Sequence, residues 1–244
     1  MEQKLVEIKE AKKIVFVGDT HGDLEASKKV IKDYLKSGNK IVFLGDYVDR
    51  GPYSKENLDF LLKIREENPD EVYLLQGNHE GNRILKFYPA EFWENLNPAE
   101  YEKYTTIVEK FPLIIIAKDI IALHGALPNV PRTVLCTLNQ IKLGSEEWMQ
   151  IVWGDFVDEP GEDLGIDIFT GRPQFGRDYF FKLMERFDKK VLIRSHQPDA
   201  PQFMFDDKCL TIFTSSAYAR ERIIAIADLE KPIETAKDLK IIKI

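Results

Sequence analysis

Three short segments carry the side chains best suited to chemistry. Gly45-Asp46-Tyr47-Val48-Asp49-Arg50-Gly51 sets two carboxylates and a guanidinium within five residues. Acids beside an arginine suit the joint binding of a metal cation and a phosphate, although a polar turn with a local Asp–Arg pair would use the same residues. Gly18-Asp19-Thr20-His21-Gly22-Asp23 and Gln76-Gly77-Asn78-His79-Glu80 repeat the pattern of glycine followed by Asp or Asn. All four histidines, His21, His79, His124 and His196, lie in a short loop immediately after an apolar run. One histidine in such a place is more often structural, but four out of four point to a single shared use of imidazole. Asp and His together supply oxygen and nitrogen donors suited to Mn, Fe or Zn and poorly suited to Ca. A carboxylate in the middle, Asp46, can bridge two ions about 3.5–4 Å apart.

The segments that must position these groups alternate between strand-like and helix-like patterns, which predicts an α/β fold. Ile14-Val15-Phe16-Val17, Ile41-Val42-Phe43-Leu44 and Val72-Tyr73-Leu74-Leu75 each end at one of the three loops. Spaced by roughly thirty residues, they read as parallel strands of βαβ units, with all three loops at one sheet edge. A first helix runs from Leu24 toward Gly38, and a second is capped by Ser54. Asn97-Pro98-Ala99-Glu100 has the form of a capping box with proline at the first helical position. Leu113–Ile116 and Ile120–Leu123 read as a tight hairpin running into His124, and Val191–Arg194 as a strand running into His196. The tail, with Leu210–Phe213, Ile223–Ile226 and Ile241-Ile242, reads as antiparallel strands forming a second sheet packed on the first.

With 244 residues and 44% hydrophobic content, the chain is long enough for one sizeable core, and one domain over 1–244 is expected. A net charge of -7 gives no overall basic field for nucleic acid or an anionic membrane. Cys136 and Cys209 lack Cys-x-x-Cys spacing and read as reduced thiols, at least one of them buried. Neither starts a Cys-x5-Arg motif, which argues against a thiol phosphatase, and no Gly-x-x-x-x-Gly-Lys loop is present. A charged N-terminus and the lack of any spanning apolar stretch place the expected protein in the cytoplasm.

The three segments, in this order and at these intervals, resemble the signature motifs of the PPP family of metal-dependent serine/threonine protein phosphatases. The resemblance extends through His124-Gly125, Trp153-Gly154-Asp155, Arg194-Ser195-His196-Gln197 and Thr211–Tyr218, and so covers most of the chain. It implies a calcineurin-like metallophosphoesterase fold, a β-sandwich of two mixed sheets flanked by helices. Matched positions imply that Asp19 and His21 hold a first metal, that Asn78, His124 and His196 hold a second, and that Asp46 bridges them. Arg50 would grip the substrate phosphate, with Arg172 as the second arginine and Arg177 as the competing candidate. His79 would be the general acid, oriented by Asp49, and Tyr218 would line the site. The implied reaction is hydrolysis of phosphoserine and phosphothreonine in proteins by direct attack of a metal-bridging hydroxide, with two divalent ions, Mn, Fe or Zn. Gln76, Ala126 and Ser215–Ala217 depart from the usual family residues without removing a ligand. Two other readings use the same residues: a diadenosine tetraphosphate or other small-molecule or diester hydrolase of the superfamily, and a non-catalytic scaffold.

Overall fold

Ile14 and Phe16 point to one side of their strand and Val15 and Val17 to the other, and all four are fully buried. A strand covered on both faces reads as an unbroken apolar run rather than an alternation, and such a strand needs a layer above and a layer below. The computed structural model, which describes residues 3–130 and 138–244, supplies both. Its strands are β1 (Leu5–Glu7), β2 (Lys13–Val17), β3 (Asn39–Phe43), β4 (Val72–Leu74), β5 (Ile114–Ala117), β6 (Ile120–Ala122) and β7 (Asp155–Phe156). They continue with β8 (Asp163–Ile166), β9 (Pro173–Phe175), β10 (Val191–Arg194), β11 (Phe203–Met204), β12 (Cys209–Thr211), β13 (Ile223–Asp228) and β14 (Lys240–Lys243).

Two sheets stack face to face. One has the order β14-β13-β2-β3-β4 and the other β1-β5-β6-β10-β12-β11, and each mixes parallel and antiparallel pairs. Between them lie Ile14, Phe16, Val42, Leu44, Ile115, Ile193 and Leu210. On the outer face of the first sheet, Val15, Val17, Ile41 and Phe43 meet helices Leu24–Tyr34, Ser54–Glu67 and Pro98–Val108. On the outer face of the second, Ile121, Leu123 and Leu192 meet helices Glu146–Trp153 and Arg177–Phe187. Each fully buried Ile, Val or Phe of this kind contributes about 1.5–3 kcal/mol. The expected β-sandwich of two mixed sheets flanked by helices is the observed fold.

Local signals held where they were specific. Asn97 accepts from the Glu100 N–H at 3.0 Å and Glu100 returns the bond to Asn97 N–H at 3.3 Å, closing the capping box. β5 and β6 pair antiparallel around Lys118, which takes a φ of +48°. Ser54, however, is the first helical residue rather than the cap, a position held by Tyr53, and its Oγ donates to the Gly51 carbonyl. The tail also departs from expectation. β12 runs parallel to β10, while β13 and β14 extend the first sheet, β13 antiparallel to β2. An apolar run buried on both faces fixes neither its partner nor its direction, so the pattern left this open. A small third sheet, β7-β9-β8, has no counterpart in the apolar pattern. Cys209 is buried, and Cys136 lies outside the described residues.

Candidate active site

The parallel strands β2, β3 and β4 deliver Asp19, Asp46 and Asn78 from their carboxyl ends, and β6 and β10 of the other sheet deliver His124 and His196. The sheet edges are tied together there. Gly18 N–H donates to Thr214 Oγ1, Asp19 N–H donates to Ser195 Oγ, and Asp19 bridges to Phe213. The loops approach so closely that Gly45, at φ +112°, could carry a Cβ only 2.5 Å from Gly77 N. Only glycine tolerates both that conformation and that contact. Glu80 clamps the same crossing, accepting N–H bonds from Asp46 at 2.8 Å, Tyr47 at 2.9 Å and Gly77 at 3.0 Å.

Five chemistry-bearing residues sit in the left-handed region: His21 at +41°, Asp46 at +53°, Asp49 and Arg50 at +66°, and His196 at +70°. Each costs on the order of 1–3 kcal/mol and persists only where the surroundings over-determine it. Here the clamps do so, and four of the five, all but the exposed Arg50, are buried at the site.

The imidazoles are each held by one edge. His21 Nδ1 donates to Val48 O at 2.7 Å and His124 Nδ1 to Leu44 O at 2.9 Å, which turns both Nε2 lone pairs toward Asp46. His21 Nε2 is 3.5 Å from Asp46 Oδ2, and His124 Nε2 is 3.4 Å from Asp46 Oδ1. Asn78 Oδ1 faces His196 Nδ1 at 2.9 Å and His124 Nε2 at 3.1 Å, and those two nitrogens are 3.2 Å apart. Asp19 Oδ2 lies 3.7 Å from His21 Nε2. Donor atoms of His21, Asp46 and His79 gather within 4.8 Å of one another, as do those of Asp46, His124 and His196. Asp46 is common to both groups.

Oxygen and nitrogen donors that converge in this way fit cations. Among the described residues Asp19 Oδ2 is buried with no hydrogen-bond partner, so the set has unused coordinating capacity. Burial, and then the Asp46 carboxylate, push Asp19 up to about 6. Burial, and then His79, push His21 down to about 3, the neutral form a ligand needs. Burial works to raise Asp46, but His124 and His79 outweigh it and hold this acid well below its ordinary value. Burial works against the His124 cation, yet Asp46 and Asp19 raise it to about 9. The mixed O/N donor set is the kind that takes Mn, Fe or Zn.

His79 is set apart from the other imidazoles. Its Nδ1 meets Asp49 Oδ2 at 2.6 Å, and Asp49 Oδ1 accepts the Phe92 N–H at 2.7 Å. Its backbone N–H donates to Asp46 Oδ1, and its carbonyl accepts from Trp93 Nε1. Arg50 is exposed, with its guanidinium 5.5 Å from the ring of Tyr218. The Tyr218 hydroxyl donates to His21 Nε2 at 2.7 Å. Arg172 joins this group: it lies over Trp153 at 5.9 Å, and its NH1 is 3.7 Å from Asp155 Oδ2. Arg177 does not join it, being paired with Asp158 and Asp206 at 2.7 Å each. The sequence reading gave no role to Glu80 or Asp155, although both lie in segments it singled out. Glu80 directly follows His79, and Asp155 closes Trp153-Gly154-Asp155, and those placements were the signal available.

The sandwich and the mixed-donor cluster at its edge define a metallophosphoesterase, and the chain belongs to the calcineurin-like phosphoesterases, whose sequence profile matches residues 12–200. Among curated proteins it is 27% identical over 226 residues to a probable serine/threonine-protein phosphatase of Encephalitozoon cuniculi, covering 88% of this chain and 50% of that protein. It is also 27% identical over 223 residues to serine/threonine-protein phosphatase 5 of Homo sapiens, covering 86% and 44%. The chain thus spans about half the length of the curated relatives it matches. A solved protein serine/threonine phosphatase from Saccharomyces cerevisiae, described as similar to human phosphatase PP5, superposes with a TM-score of 0.84. That match has 22% identity and covers 99% of this chain and 84% of the other. No helix among the described residues is long and apolar enough to cross a membrane.

Proposed function

We propose that residues 1–244 form one catalytic domain that hydrolyses phosphoserine and phosphothreonine in proteins, in the cytoplasm, with two divalent metal ions. The observation that carries this reading is Asp46, whose two carboxylate oxygens face separate histidine groups while His79 stands beside them with its own acid, Asp49. The names of the curated relatives support the protein substrate.

Asp19, His21 and Asp46 would hold one ion, and Asp46, Asn78, His124 and His196 the other. Ions bound there supply Lewis acidity and lower the pKa of water. The remaining work falls to the chain. Arg50 and Arg172, each a planar fork, bind phosphate oxygens and orient the ester. Asp49 accepts a hydrogen bond from His79 Nδ1–H and so stabilises the imidazolium, whose Nε2–H faces the ester oxygen. His79 then donates that proton to the departing serine or threonine alkoxide, a poor leaving group without an acid. Tyr218 lines the Arg50 side of the site, its ring packed against the Arg50 guanidinium.

The test is hydrolysis of a phosphothreonine peptide by metal-stripped protein, by protein reconstituted with Mn, and by His79→Ala treated identically. Activity should require Mn and fall by about 10²–10⁴-fold in the variant with bound metal retained. A reconstituted wild type that leaves the peptide untouched defeats the protein-phosphatase reading.

A further inference from the structure

Single exposed apolar side chains are ordinary, whereas a cluster marks a contact surface. Among the described residues, Ile166, Ile168 and Phe169 are 68%, 87% and 90% exposed, and all three lie on one hairpin formed by β8 and β9. A floppy tip would lose any advantage to ordering entropy, but this tip is fixed. Asp167 Oδ1 accepts from the N–H of Phe169 at 3.0 Å and from the N–H and hydroxyl of Thr170 at 2.7 and 2.9 Å. Asp167 N–H donates to the Arg172 carbonyl, and Gly171 N–H to the Asp167 carbonyl, closing the turn. The apolar residues are thus presented to solvent in a set geometry.

The hairpin is also continuous with the site. Ile166 pairs with Pro173, next to Arg172, so the tip begins where the second arginine stands. Between the hairpin and helix Glu146–Trp153 lies a groove of about 530 Å³ lined by Met149, Ile166, Pro173 and Phe175, with Glu146 and Asp163 among its other walls. Met149 is one turn before Trp153, whose ring is 6.2 Å from that of His196. The groove wall therefore leads to the metal-ligand cluster. Phe169 is three residues from Arg172, a span of at most about 11 Å, which an extended substrate also covers in about three residues.

We infer that the β8–β9 hairpin and its groove dock an aliphatic or aromatic side chain about three residues from the phosphorylated residue of the substrate polypeptide. The carboxylates at the groove disfavour acidic neighbours of that anchor. This inference rests on the phosphoprotein reading above.

The experiment uses Mn-loaded full chain and matched phosphothreonine peptides. One carries Phe three residues before the phosphothreonine, one carries it three residues after, and one has Ala at both positions. One of the Phe peptides should show kcat/KM about tenfold above the Ala peptide, through KM, as expected for one side chain entering an apolar pocket. In Ile166→Ser/Phe169→Ser, which alters both the groove wall and the tip, that ratio should collapse to one, a comparison made within each protein and so insensitive to its absolute activity. Equal turnover of all three peptides by wild type, or a preference that survives in the double variant, overturns the docking role while leaving the phosphatase reading intact. If no peptide is hydrolysed, both fall together.

Discussion

Asp155 Oδ1 lies 3.5 Å from His196 Nε2 and 3.8 Å from Arg194 NH2, and among the described residues neither Asp155 Oδ1 nor His196 Nε2 has a hydrogen-bond partner. A carboxylate facing the outer nitrogen of a ligating histidine fixes which nitrogen carries the proton. With Nε2–H turned to Asp155, His196 Nδ1 keeps its lone pair for the side where Asn78 and His124 converge. Asp155→Ala should therefore weaken metal binding by about 10–100-fold, and Asp155→Asn by less. Calorimetric titration of stripped protein with Mn reads this directly, with the urea midpoint as a check on folding. Unchanged Mn affinity in a folded Asp155→Ala protein would remove Asp155 from any role at the centre.

The His79–Asp49 pair sets a pH dependence whose sign follows from its surroundings. Burial works against the imidazolium, but Asp46, 3.9 Å from Nε2, and Asp49, 2.6 Å from Nδ1, outweigh it and raise the pKa above the ordinary histidine value. The proposed acid must carry its proton, so kcat should fall as pH rises through that raised value. In folding, the pair contributes stability that is complete below the ordinary histidine pKa and lost as pH rises through the raised one. Asp49→Asn can still accept the Phe92 N–H but turns an amide N–H toward His79 Nδ1. The falling limb of the pH–rate profile should then shift to lower pH and kcat should drop. Superimposable falling limbs in the two proteins would show that some other group titrates there.

How much of this could be read in the sequence depended on whether the signal was local. Asn97 and Glu100 announced their capping box because its partners are three residues apart. The loops after β2, β3 and β4 were legible because parallel strands at βαβ spacing must end at one edge. Glu80 stood in a quoted motif, yet its task of holding three N–H groups from two loops becomes visible only when those loops meet. β8 escaped because Asp163, Leu164, Gly165 and Ile166 are not buried and present no apolar alternation. The direction of β12 was hidden because Cys209, Leu210 and Thr211 are buried on both faces, and burial alone does not orient a strand.

The two candidate arginines of one short segment meet different fates, and that separates them experimentally. Arg172 keeps 15% side-chain exposure between Trp153 and Asp155, and its charge helps, after burial, to hold the His196 pKa well below the ordinary value. Among the described residues nothing bonds its guanidinium as tightly as Asp158 and Asp206 bond that of Arg177, which lies against Phe181 instead. A guanidinium already committed to two carboxylates at 2.7 Å is unavailable to a phosphate, and such partly exposed pairs contribute only about 0–1 kcal/mol to stability. Arg177→Ala should thus leave the kinetics on a phosphothreonine peptide within about twofold of wild type and shift the unfolding free energy by about 1 kcal/mol or less. Arg172→Ala should lower kcat/KM by about 10²-fold, and Arg172→Lys should recover only part, because an ammonium cannot reproduce the two-pronged contact. Steady-state kinetics of the three variants on one peptide decide the assignment. Loss of activity in Arg177→Ala with Arg172→Ala unimpaired would move the phosphate-binding role from the hairpin base to the start of helix Arg177–Phe187.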